Sequence, residues 1–255
     1  MSVLYITEFR ALLSPLWMHW ILDRNELNYI GLRLTTEFGY DCPDRCISAN
    51  ALENLVHLMV HFKIVHLQCQ NVDFNAITST EGKLINLKGC SSLKTIELID
   101  CTKSTRLIVR AVCDCPLLES VNTRGNIPSY MSSFDIQYQI MAKNLNKNCR
   151  LRHFAMREVT AYFTECTYSG LRIPVDNSVN ENRVIAYQKF IQQIIDRNSI
   201  GWINCRQAIY QLYLIKRHGN SPLFACLNRD VVNIIARLLY QSRFKEAWCP
   251  LLKFP

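Results

Sequence analysis

Two stretches of this chain align position for position, twenty-five residues apart. Cys90-Ser-Ser-Leu93-Lys-Thr-Ile96-Glu-Leu98-Ile-Asp-Cys101 and Cys115-Pro-Leu-Leu118-Glu-Ser-Val121-Asn-Thr123-Arg-Gly-Asn126 share the pattern C-x2-L-x2-[IV]-x-[LT]-x2-[CN]. Repetition on this scale restricts the fold more than any local propensity. Each copy is one small structural unit that cannot bury its apolar edge alone, so copies must stack and share a core. Side chains of a short strand alternate between its faces. Ile96 and Leu98, like Val121 and Thr123, therefore point inward, while Leu93 and Leu118 close the turn before each strand. The expectation is a pair of adjacent parallel strands, 93–98 and 118–123, in register.

Weaker copies flank the pair. Leu27-x2-Ile30-x-Leu32 follows an N-terminal helix, and Phe62-x2-Val65-x-Leu67 follows a predicted amphipathic helix from Ala51 to Phe62. Leu151-x2-Phe154-x-Met156 follows a predicted helix from Ser133 to Leu145, and Leu107 to Cys115 reads as the helix before the second strong copy. The residues closing each unit would be Thr35, Gln70, Cys101, Asn126 and Val159, of which only the middle pair fits the Asn/Cys position. The pattern resembles the cysteine-containing leucine-rich repeat, L-x-x-L-x-L-x-x-N/C. That resemblance implies an α/β fold, a short irregular solenoid of parallel strands plus helices, followed by a C-terminal helical domain. The competing reading is an ordinary α/β domain with apolar strands after helices. The expected division is 1–168 for the repeat-like domain with its N-terminal capping helix, 169–181 for a linker rich in Gly, Pro, Asn and Ser, and 182–255 for a basic helical domain.

If the copies stack, the outward positions line one concave face: Tyr29, Gly31 and Arg33; Ile64, His66 and Gln68; Thr95, Glu97 and Ile99; Ser120, Asn122 and Arg124; His153, Ala155 and Arg157. This mixed polar row has the composition of a protein-binding surface and lacks the converging acids of a catalytic cavity.

Beyond the linker, helices are expected over about 182–197, 202–217 and 228–247. In the last, Val231, Ile234, Ile235, Leu238 and Leu239 recur at i, i+3, i+4, i+7 and i+8, the spacing of one buried face. The run Leu227-Asn-Arg-Asp-Val231-Val-Asn-Ile-Ile235-Ala-Arg-Leu-Leu239, with Trp248 beyond it, resembles the opening of an F-box, L-P-x-[DE]-[LV]-x-x-x-I-[LA]-x-x-L, with Asn228 in place of the proline. That resemblance implies docking on the small adaptor subunit of a cullin ubiquitin ligase through Leu227, Val231, Ile234, Ile235, Leu238, Leu239 and Trp248. Leucine-rich repeats in such proteins capture the substrate. Similar tails close ankyrin-repeat proteins of large DNA viruses, which would place the chain in host cytoplasm. The plainer alternative is a helical cap on the end of the stack.

The net charge of +8 is concentrated at the C-terminal end, where residues 201–255 hold eight Lys/Arg against Asp230 and Glu246. These charges stand singly among apolar residues, as on a solvated face. Nucleic-acid binding would rest on this basic tail, with Trp202, Tyr210 and Tyr213 as stacking groups. They share a helix with Ile209 and Leu212, and core packing is the expectation for them. Twelve cysteines with no export signal read as reduced thiols, mostly small buried apolar groups. Cys42, Cys46, His57 and His61 form C-x3-C-x10-H-x3-H, a candidate zinc set, but the middle spacing and missing aromatic depart from the finger pattern. The alternative is two histidines on the half-exposed face of the Ala51 helix. No P-loop, G-x-G-x-x-G, G-x-S-x-G or H-E-x-x-H occurs, so neither an enzyme nor a cofactor is expected. The apolar stretch from Val3 to Leu22 is broken by Glu8, Arg10, Ser14, Pro15 and His19, and a cytoplasmic or nuclear protein is the expectation.

Overall fold

A computed structural model describes residues 2–24, 29–36, 46–74, 86–102, 104–124, 134–155, 166–168, 171–173, 178–218, 228–243, 245 and 247–254. In chain order the described elements are β1 (Ser2–Ile6), α1 (Phe9–Leu13), α2 (Pro15–Leu22), β2 (Tyr29–Thr35), α3 (Ala49–His61), β3 (His66–Gln70), β4 (Thr95–Ile99), α4 (Thr105–Asp114), β5 (Ser120–Arg124), α5 (Phe134–Asn146) and β6 (His153–Ala155). A hairpin of β7 (Cys166–Tyr168) and β8 (Leu171–Ile173) follows, then α6 (Ser178–His218) and α7 (Arg229–Ser242). The chain is α/β, with a six-stranded parallel sheet and a C-terminal helical part.

Strand order equals sequence order, β1-β2-β3-β4-β5-β6. Two inward rows run across the sheet in register. One is Leu4, Leu32, Leu67, Ile96, Val121 and Phe154; the other is Ile6, Leu34, Cys69, Leu98 and Thr123. All but the half-buried Phe154 are buried. The helices cover this face with Leu12, Ile21, Leu55, Leu58, Ile108, Ala111, Met141 and Leu145, which belong to the same core. Buried residues of α3 at 51, 52, 55, 58 and 59 follow the helical period, and Ser48 caps its start by accepting from Ala51 N–H. Ser14 does the same for α2, with Pro15 pre-set at the first helical position.

The pairing of 93–98 with 118–123 is as expected, with Ile96 opposite Val121 and Leu98 opposite Thr123. The last weaker copy keeps the expected frame, with Phe154 opposite Val121, but the first two are framed differently. Leu67 pairs with Ile96, and Leu32 with Leu67, so the true counterpart of Leu93 is Ile64 and that of Cys101 is Val72. The offset from the expected frame is two residues, and a shift of two preserves which side chains face inward. Ile64, expected on the outward face, is buried as the residue that closes its turn. Asn126, Met156 and Val159 lie outside the described residues. Past the strand ends the turns also repeat: Asn71 and Asp100, at equivalent positions, take φ of 58° and 52°, a left-handed conformation that Asn and Asp tolerate. Their N–H groups donate to Ile99 O and Arg124 O, and the thiol of Cys101 donates to Cys69 O and Ile99 O at 3.4 Å.

Three expectations are corrected. The N-terminal element is the strand β1, ahead of α1 and α2, because Val3 and Tyr5 alternate with Leu4 and Ile6 at period two. The helices expected at 182–197 and 202–217 are one 41-residue helix, α6, which begins at Ser178 inside the expected linker. Gly201 is tolerated there because α6 meets the C-terminal segment at that point. A Cβ on Gly201 would strike the Trp248 carbonyl and lie 2.7 Å from Cys249 Sγ. The helix expected at 228–247 ends at Ser242. It buries Val232 and Ala236, while Val231, Ile234 and Leu238 are exposed and Ile235 and Leu239 half-buried. No described helix is long and apolar enough to cross a membrane.

Tyr187, Phe190, Ile191, Ile194 and Ile195 of α6 belong to the common core, so the helical part shares its packing with the α/β part. A buried polar hub ties them together. The Arg197 guanidinium, 7% exposed, donates to the carbonyls of Asn146, Asn148 and Pro250 and to the side-chain oxygens of Asn146 and Asn198. Asn198 donates to Asn148 O and Leu151 O, and Asn146 exchanges hydrogen bonds with the backbone of Leu252.

Truncating Leu98 to Ala is expected to cost about 3 kcal/mol, whereas Ile99→Ala, one residue on and outward, costs under about 1 kcal/mol in urea unfolding. Arg197→Met strands several buried carbonyls and is expected to lower stability by about 3 kcal/mol, read as a lower urea midpoint at unchanged slope.

Candidate functional site

The sheet face opposite the helices presents three ordered rows. The first holds Val3, Gly31, His66, Thr95, Ser120 and His153; the second Tyr5, Arg33, Gln68, Glu97, Asn122 and Ala155; the third Thr35, Gln70, Ile99 and Arg124. At about 4.8 Å per strand the face is about 24 Å wide. Every expected outward residue that is described lies here except Ile64, which is buried, and Tyr29, which packs half-buried against the core with its ring 5.1 Å from that of Phe62. Arg157 lies outside the described residues.

Neighbouring side chains within a row brace one another. Gln68 Nε2 donates to Glu97 Oε2 at 3.0 Å and Asn122 Nδ2 to Glu97 Oε1 at 3.4 Å, so each oxygen of one carboxylate is held by an amide from an adjacent strand. His66 Nδ1 and Thr95 Oγ1 are 2.6 Å apart. The Arg33 guanidinium lies 5.9 Å from the Tyr5 ring centroid, and its Nε is buried with no hydrogen-bond partner among the described residues. Such an unmet donor costs about 1–3 kcal/mol unless something accepts from it. The centre of the face is thus a fixed amide–carboxylate–amide line. At its rim His66, Arg124 and His153 are exposed. Gly31 admits Val3 over it, a Cβ there lying 3.3 Å from Val3 Cγ2.

The zinc set is incompletely described: Cys42 lies outside the described residues, while Cys46, His57 and His61 are exposed. No group of three or more His, Cys, Asp or Glu placed to hold a metal occurs among the described residues. His57 and His61 sit on the outer side of α3, and His61 packs edge-on against Phe62 at 4.7 Å.

Nine cysteines are free thiols, and seven of these are buried. Burial, reinforced by nearby negative groups, pushes the Cys90 thiol up to about 11 and the Cys115 thiol up to about 12. Burial first, then Cys149, pushes Cys249 up to about 11. These groups are protonated at neutral pH and serve as packing, not as nucleophiles.

On the helical side Leu227 lies outside the described residues. Val231, Ile234 and Leu238 form an exposed apolar stripe on α7, and Trp248 is half-buried with Nε1 donating to Ser242 Oγ at 3.1 Å. The core assignment of Tyr210 and Tyr213 is overturned, since they are 65% and 43% exposed. Tyr213 still reaches the facing helix, its Oη donating to Asn233 Oδ1 at 3.0 Å. Sequence periodicity identifies a face here but not which one is covered.

No protein-family model matches the chain, and no curated protein or solved structure is significantly similar to it.

Native protein treated with iodoacetamide at pH 8 is expected to label at the exposed Cys46 and Cys113 well before Cys90 and Cys115, which react only after unfolding. Peptide mass spectrometry over a time course checks this.

Proposed function

We propose that the chain is a non-catalytic protein-recognition module, a short leucine-rich-repeat-like solenoid whose open sheet face captures a partner protein. The observation that carries this reading is that the described helices α1 to α5 pack on one face of the sheet. The other, about 24 Å wide, carries side chains held in fixed rows by mutual hydrogen bonds. Preorganised polar groups on a rigid sheet lose little entropy on binding, which suits them to recognise a protein surface. The C-terminal part plays two roles in this proposal. Helix α6 packs on α5 and β6 and covers the end of the sheet, as a stacked fold requires. The exposed Val231, Ile234 and Leu238 of α7 supply the docking stripe for the small adaptor subunit of a cullin ubiquitin ligase. The chain then recruits a substrate on the sheet and a ligase on the helix.

Purified chain is expected to retain the purified ligase adaptor on a column, and Ile234→Asp, a change at an exposed position, to weaken retention at least tenfold, about 1.4 kcal/mol. A photo-crosslinker at Gln68 is expected to trap a protein from host-cell extract, and Glu97→Lys to abolish trapping. Absence of adaptor binding by the unmodified chain removes the ligase role; absence of any trapped protein removes the recognition role.

A further inference from the structure

The antiparallel pair α6 and α7 presents a second surface, on the side where Trp202 meets Tyr240 with ring centroids 5.7 Å apart and Tyr213 Oη donates to Asn233 Oδ1 at 3.0 Å. Those contacts fix which faces of the two helices lie side by side. On α6, Trp202, Arg206, Tyr210, Tyr213 and Arg217 fall at i, i+4, i+8, i+11 and i+15, one helical face. On α7, Arg229, Asn233, Arg237 and Tyr240 fall at i, i+4, i+8 and i+11, again one face. All are exposed except the half-buried Trp202.

The cations and rings are already stacked at one end. The Arg243 guanidinium is 3.9 Å from the Tyr240 ring centroid and 5.6 Å from that of Trp202, and Arg152 is 5.4 Å from Trp202. Arg150 stands beside them, its pKa lowered by burial and then by the charge of Arg243. No acidic residue occurs between Gly201 and His218, and Asp230 is the sole acid in α7. Arg206, Arg217, Arg229 and Arg237 make no ion pair with a carboxylate among the described residues. The strip from Trp202 to Arg217 is about 22 Å long, enough for a short single-strand site.

We infer that this face binds single-stranded nucleic acid, the arginines tracking phosphates and the exposed aromatic rings stacking unpaired bases. An acidic protein segment would satisfy the guanidiniums but leave the Tyr210 and Tyr213 rings, 65% and 43% exposed, without a stacking partner. The interleaving of rings and cations favours bases and phosphates together. This function is independent of the partner-binding sheet face.

Fluorescence anisotropy of the full chain with labelled 20-mers of oligouridine and oligothymidine tests it and separates an RNA from a DNA preference. Binding is expected to weaken with salt at a log–log slope of about −4, from Arg152, Arg206, Arg217, Arg229, Arg237 and Arg243 at about 0.7 each on a single strand. Arg206→Gln with Arg237→Gln is expected to reduce that slope by about 1.4. Tyr210→Ala with Tyr213→Ala is expected to lose at least tenfold in affinity, while the paired Tyr→Phe changes retain it, which separates stacking from folding defects. Glu97→Gln on the sheet leaves binding unchanged. The inference is overturned if neither oligomer binds at 50 mM salt, or if the paired alanine variant binds as tightly as the original chain. It is equally overturned if a duplex competes as well as the single strand, or if polyglutamate of equal charge displaces the oligomers equally well, the latter indicating an acidic protein partner.

Discussion

Six strands whose inward side chains meet in register share one requirement: each apolar edge must be covered by the next strand and by a helix beneath it. Leu67 lies between Leu32 and Ile96, and Leu98 between Cys69 and Thr123. None of these pairs buries much area alone. The stack is stable because each strand closes one neighbour and is closed by another, and because α3, α4 and α5 seal the same face. Alternation then leaves the opposite face to polar residues. The ordered Gln68–Glu97–Asn122 line exists because Leu67, Leu98 and Val121 are fixed on the other side.

That coupling explains how much of the architecture could be read from the residues. Ile96 and Val121 stand in two nearly identical stretches, and their alignment sets the register of the central strands. The Leu151 copy was legible in frame, with Phe154 opposite Val121. The first two copies were legible as strands but not in frame, since Phe62 and Ile64 are both apolar and either fits the closing position. Parity survived, because strands repeat every two residues, and so did almost all of the outward face. The helical end was harder to read. Asn198, Ser199 and Gly201 resemble a break, yet Asn198 is held by Asn148 and Leu151, and Gly201 marks a close approach by residues 248–249. Such contacts are long-range and leave no local periodic signal. On α7 the apolar residues cover well over half the circumference, so spacing alone could not tell whether Val232 or Val231 faces inward.

The two candidate surfaces differ in their physics. The sheet face is short-sided, rigid and nearly neutral, with its polar groups largely satisfied by one another. The helical face is long, cationic and aromatic. A surface of the first kind discriminates by shape and hydrogen-bond geometry, and one of the second gains affinity from charge and responds to ionic strength. One fold can carry both because α6 reaches about 60 Å, far beyond the sheet edge it covers.

The order of the strands and the position of Arg197 together give this molecule a direction of assembly. On a ribosome each strand would emerge to find its neighbour already made, with no need to wait for a distant segment or to thread between existing ones. Arg197 is the exception: its acceptors include Pro250, and Asn146 is joined to Leu252 across 106 residues. Growth of the sheet is therefore stepwise, but its final locking is deferred until residues 250–252 leave the exit tunnel.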